Sequence, residues 1–102
     1  MYLSIKELLQ KLGTLKKKSP NTMRSFQEFD KIALENGTIP AKYKELIALG
    51  VALTTQCVYC LEIHKQNAIK NGATQEEIAE TIFVAAALRA GAAVTHGTHI
   101  LD

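Results

Sequence analysis

The stretch Gln56-Cys57-Val58-Tyr59-Cys60-Leu61-Glu62-Ile63-His64 sets two thiols and an imidazole at i, i+3 and i+7, which on a helix share one face. If Cys57 caps that helix, Cys60 falls in its first turn, where the positive end of the helix macrodipole favours a thiolate. His64, one turn on, then exchanges its proton. Lowering a thiol pKa from about 8.5 to about 7 raises the thiolate fraction at neutral pH from a few per cent to roughly half. The pattern predicts an activated sulfur nucleophile at Cys60, with Cys57 placed to resolve it. Glu45 precedes this stretch on the preceding segment. Its spacing alone favours a solvent-facing acid set between the lysines Lys42 and Lys44 on one side and the apolar stripe on the other; if the two segments fold back as a hairpin, its carboxylate instead reaches the thiol and imidazole as a proton acceptor or holds the imidazole tautomer.

The same residues admit other chemistries. Cys57, Cys60 and His64 can serve as zinc ligands with His96 or His99 completing the set, but three ligands on one short helix do not make the two separated pairs of a structural zinc site. His96 and His99, one turn apart, read as exposed histidines near a C-terminus. Covalent haem attachment needs His directly after the second cysteine, where this chain has Leu61, and a thioredoxin-like module needs a strand before the pair. A third class is a non-catalytic helical oligomer whose cysteines are buried apolar residues. A disulfide closing a loop of about four residues gives only roughly 2 kcal/mol, so stability is not the main reason for the pair.

Helical periodicity runs through most of the chain. Ile5, Leu8, Leu9 and Leu12 mark a short first helix that Gly13 is expected to end. Ser19-Pro20 opens a second, to about Glu35, with Met23, Phe26, Phe29, Ile32 and Ala33 on its apolar side and Gly37 beyond. Pro40 opens a third, apolar around most of its circumference, in which Gly50 suggests close packing. The pattern pauses at Thr54-Thr55-Gln56 and resumes from Cys57 to Lys70, stopped by Asn71-Gly72. Thr74-Gln75-Glu76-Glu77 fits a capping box that launches a long alanine-rich helix. Its small residues leave a surface on which another backbone can approach closely.

The combination of Glu45, Cys57, Cys60 and His64, followed by Asn71-Gly72, Glu76-Glu77-Ile78 and the Ala/Gly-rich end, resembles the carboxymuconolactone decarboxylase and AhpD-like alkylhydroperoxidase family over about residues 38 to 102. The resemblance implies an all-α, single-domain bundle of about five helices over 1–102, assembled as a homo-oligomer, often a hexamer built as a trimer of dimers. In the peroxidase branch it implies that Cys60 attacks a hydroperoxide and becomes a sulfenic acid. Cys57 donates a proton and then closes the disulfide, Glu45 and His64 relay protons, and a dithiol donor, lipoyl or thioredoxin-like, restores the thiols. No cofactor and no metal are implied. The decarboxylases of the family generally lack the cysteine pair, so lactone decarboxylation is the alternative and thiol redox chemistry the preferred reading. Two departures stand out. Tyr59 occupies a position where some of these peroxidases carry a further relay histidine, and reads here as a packing residue; and the larger peroxidases contain two related helical halves where this chain has one.

The 102 residues, 47% hydrophobic and 22% charged, suit one small domain with a thin core that association would help to bury. The longest apolar run, Ile82 to Val94, is interrupted by Arg89 and is shorter than a spanning helix needs, so no membrane segment is expected. Met1-Tyr2-Leu3-Ser4-Ile5-Lys6-Glu7 lacks the apolar run of a signal peptide, and the expected location is the cytoplasm. The net charge of +2 and the single run Lys16-Lys17-Lys18, without interleaved aromatics, give no nucleic-acid footprint.

Overall fold

A computed structural model describes residues 3–102, so the reading of the first two residues lies outside the described part. It contains five α-helices: α1 (Ile5–Lys18), α2 (Pro20–Leu34), α3 (Ala41–Thr55), α4 (Val58–Lys70) and α5 (Gln75–Gly97), the last running into a 3-10 turn, Thr98–Ile100. No strand occurs among the described residues, and the all-α expectation holds. Contacts divide the chain into two compact units, Met1–Glu35 and Asn36–Asp102.

The first unit is the α1–α2 pair. Ser4 caps α1 by accepting the Glu7 N–H at 3.1 Å, and Lys16, Lys17 and Lys18 fill its last turn, where cations complement the negative end of the macrodipole. Gly13 does not end this helix. The helix runs on through it because Leu15 extends the stripe begun by Ile5, Leu8, Leu9 and Leu12, which outweighs a glycine penalty of about 1 kcal/mol. Pro20 takes the first position of α2 as expected, though Ser19 precedes it without a side-chain cap bond.

The second unit packs α4 and α5 against α3. Asn36 Oδ1 accepts the Ala41 N–H at 2.7 Å, satisfying a donor that Pro40 leaves open at the start of α3. Glu45, Leu49 and Ala52 are the buried residues of α3; their i, i+4, i+7 spacing makes one stripe facing the core. Ala68 of α4 and Ala85 of α5 are buried as well, small residues that let helices approach closely. Gly50 is not required by any close approach: a Cβ there would meet only Thr81 Cγ2 at 3.9 Å, ordinary van der Waals contact. Gly72, at φ +93°, is required by its turn, because only glycine adopts that backbone without strain. It reverses the chain after α4 and lets Ala73 N–H bond to Ala68 O at 2.9 Å.

The capping box at Thr74 forms as the sequence predicts: Thr74 Oγ1 accepts Glu77 N–H at 3.1 Å, and Glu77 Oε1 accepts Thr74 N–H at 2.9 Å. Glu77 also pairs with Lys42 across to α3 at 2.9 Å. The run 82–94, broken by Arg89, understates the apolar character of α5. Residues Gln75–Ile100 hold an 18-residue window of mean hydropathy 1.5, enough by length and composition to cross a bilayer, with 6% of that window buried.

Candidate active site

Gln56 ends α3 in the left-handed conformation, φ 57° and ψ 40°, and its N–H bonds back to Ala52 O. A left-handed residue after the last turn is a common way to close a helix, although glycine or asparagine takes it with less strain than glutamine. The reversal lasts one residue. Cys57 N–H bonds to the same Ala52 carbonyl at 3.1 Å, and Cys57 then becomes the N-cap of α4, its Sγ accepting the Cys60 N–H at 3.2 Å. Serine or aspartate commonly plays this role; here a sulfur does so, at the positive end of the α4 macrodipole.

Cys57 and Cys60 are joined as a disulfide with their Cα atoms 5.3 Å apart. Both are half-buried. The spacing i to i+3 across a helix start brings the two sulfurs within bonding distance, and α4 is helical from Val58 with the disulfide closed.

His64 lies one turn beyond Cys60 on α4, and its Nδ1–H donates to Glu45 Oε2 at 2.6 Å. Glu45 is only 5% exposed. The solvent-facing reading that spacing favoured is therefore overturned. The α3–α4 reversal turns the Glu45 face of α3 onto α4, and a carboxylate so buried requires a partner, which His64 supplies. With the hydrogen of that bond on Nδ1, Nε2 keeps its lone pair free to take a proton, the tautomer being set by the carboxylate. Among the described residues, no buried side-chain nitrogen or oxygen lacks a hydrogen-bond partner.

The other sequence candidates fall elsewhere. Tyr59 is half-buried in the first turn of α4. His96 and His99 pair edge to face with ring centroids 5.2 Å apart, at the end of α5 and in the turn after it. Among the described residues no three or more His, Cys, Asp or Glu side chains gather so as to hold a metal ion, and the four-ligand zinc set of the alternative reading is not assembled. Sequence reasoning missed Arg89. In the sequence it only interrupts an apolar run, yet its Nη1–H donates to Thr54 O at 2.6 Å across 35 residues.

The carboxymuconolactone decarboxylase family profile matches residues 20–102. A Paracoccus denitrificans protein named "Uncharacterized protein 4 in cox locus" is 39% identical over 90 residues, covering 88% of this chain and 81% of its own. A Haemophilus influenzae protein is likewise 39% identical over 90 residues, covering 88% and 80%. Among solved structures, a carboxymuconolactone decarboxylase family protein from Legionella pneumophila superposes with a TM-score of 0.77 at 34% identity, covering 81% of this chain and 74% of that one. A Methanobacterium thermoautotrophicum protein gives 0.80 at 28% identity, covering 86% and 99%. The helical unit that closes a CxxC disulfide at one helix start and buries a carboxylate against the neighbouring imidazole belongs to the carboxymuconolactone decarboxylase family.

Proposed function

We propose that this protein is a thiol-dependent hydroperoxide reductase of the alkylhydroperoxidase type. The observation that carries the reading is the CxxC pair closed across the first turn of α4, one turn from a histidine whose tautomer is set by a buried glutamate. Cys60, as thiolate, attacks the terminal peroxide oxygen; the O–O bond breaks, an S–O bond forms, and the departing alkoxide takes a proton to leave as the alcohol. Cys57 sulfur then attacks the sulfenic sulfur, water leaves, and the disulfide holds the two electrons' worth of oxidation. A dithiol donor, a lipoyl or thioredoxin-like protein, reduces it by two exchange steps and is itself oxidised. His64 Nε2, backed by Glu45, takes the Cys60 proton and returns it during these steps. A pair that cycles in this way needs a reducing supply, which fits the cytoplasm.

We also propose that the chain works as a homo-oligomer, a hexamer in the family pattern. The support is the exposed apolar side of α5, including Phe83, Val84, Leu88 and Val94, and an open groove of about 610 Å³ between α3 and α5 lined by Leu46, Ile47, Val51, Val84 and Leu88. Contiguous apolar surface of this kind marks association sites.

Steady-state turnover of an alkyl hydroperoxide with a dithiol donor tests the function. Cys60→Ser is expected to lose nearly all of the rate; equal rates in the two proteins overturn the assignment. Decarboxylation of a lactone substrate at a rate indifferent to Cys60→Ser would favour the family's other chemistry.

A further inference from the structure

Arg89 is the single Lys or Arg of α5, set in an exposed and otherwise apolar stretch. A guanidinium there interrupts a surface suited to packing, and it is spent on one carbonyl, Thr54 O, at 2.6 Å. That carbonyl belongs to the last turn of α3, where helix geometry leaves the final four C=O groups without intrahelical donors. Ala52 O, in the same turn, receives the Gln56 and Cys57 N–H groups. Thr54 O is reached instead from another helix. The next residues are Thr55, then Gln56 in the left-handed region, then Cys57 as the cap of α4. A non-glycine residue at positive φ persists only where its surroundings hold it, and Arg89 grips the chain two residues before it.

We propose that Arg89 is a positioning residue for the Cys57–Cys60 pair: by holding the Thr54 carbonyl it fixes the α3–α4 reversal and keeps Cys57 at the cap and Cys60 in the first turn of α4. The proposal rests on the redox reading of the pair for its effect on turnover. Its effect on the thiols does not depend on any substrate. Loosening the reversal withdraws the reduced Cys60 sulfur from the helix start that favours its thiolate, so the thiol titrates at higher pH. An ammonium in place of the guanidinium also donates to a carbonyl and carries the same charge, though without the planar fork.

The test compares wild type, Arg89→Ala, Arg89→Gln and Arg89→Lys. Thiolate absorbance of the reduced proteins is titrated, and turnover with an alkyl hydroperoxide and a dithiol is followed from pH 6 to 10. Arg89→Ala is expected to raise the Cys60 thiol pKa and to cut the rate at neutral pH by about tenfold. That deficit should close near pH 9.5, where the thiolate forms unaided. Arg89→Gln, which keeps a donor and most of the length, should fall between Ala and wild type, and Arg89→Lys should restore most of the rate. An unchanged thiol titration in folded Arg89→Ala or Arg89→Gln overturns the proposal, as does a rate deficit equal at all pH values. If wild type itself turns over no hydroperoxide, the functional reading fails, while the thiol titrations still decide the role of Arg89.

Discussion

In the proposed mechanism, the 2.6 Å bond between Glu45 and His64 is the contact on which the chemistry at residue level turns. Glu45→Gln preserves the volume and a hydrogen bond to the ring but removes the charge that backs an imidazolium. It is expected to lower peroxide turnover by about 10² or more, in the range of lost general acid–base assistance, with helicity by circular dichroism unchanged. His64→Gln should cost about as much. Residues acting as one relay are not additive, so the double substitution is expected to lose no more than either single one; losses that multiply would separate the two roles. The sequence showed the CxxC pair and its cap position directly, because an i, i+3, i+7 spacing is local. The burial of Glu45 was not legible, since it depends on how α3 and α4 reverse about Gln56. A left-handed glutamine carries no signal that glycine would have given.

Element boundaries followed the local rules where capping chemistry decided them and departed where tertiary or stripe continuity did. Thr74 illustrates the first case. Thr74→Ala removes the acceptor of the Glu77 N–H and is expected to cost about 1 kcal/mol, lowering the thermal midpoint by roughly 4–8 °C in a domain of this size. Gly13 illustrates the second, a potential stop overridden by the leucine stripe around it. Between α3 and α5, the Lys42 ammonium holds the Glu77 carboxyl below its ordinary value of 4.5, and Glu77 raises Lys42 above 10.5. The lowered Glu77 value means that the folded state binds that proton less readily than the unfolded chain does. Its contribution is therefore full above the ordinary carboxylate value and disappears as pH falls through the lowered one; the Lys42 contribution disappears as pH rises through the raised one. Urea midpoints of wild type and Lys42→Met should accordingly differ at pH 7 and converge as pH falls below about 4. A gap that stays constant into acid would place the effect of Lys42 outside this ion pair.

At the scale of the whole molecule, the buried apolar residues are few and mostly small, Met23, Leu49, Ala52, Ala68 and Ala85, while Phe83 stands 73% exposed on α5. Small domains bury a limited fraction of their surface, and the proposed self-association would bury more of it. Light scattering is expected to return a mass several times 11.2 kDa, and Leu88→Glu, which sets a charge in the α3–α5 groove, should shift it to smaller species. A wild-type monomer at all concentrations would contradict the proposal. The account as a whole is tested most directly by mixing fully reduced protein with one equivalent of an alkyl hydroperoxide, counting thiols and mapping the peptides. It predicts that each alcohol formed consumes two thiols per chain and leaves Cys57 linked to Cys60. Persisting thiols beside unconsumed peroxide would contradict it.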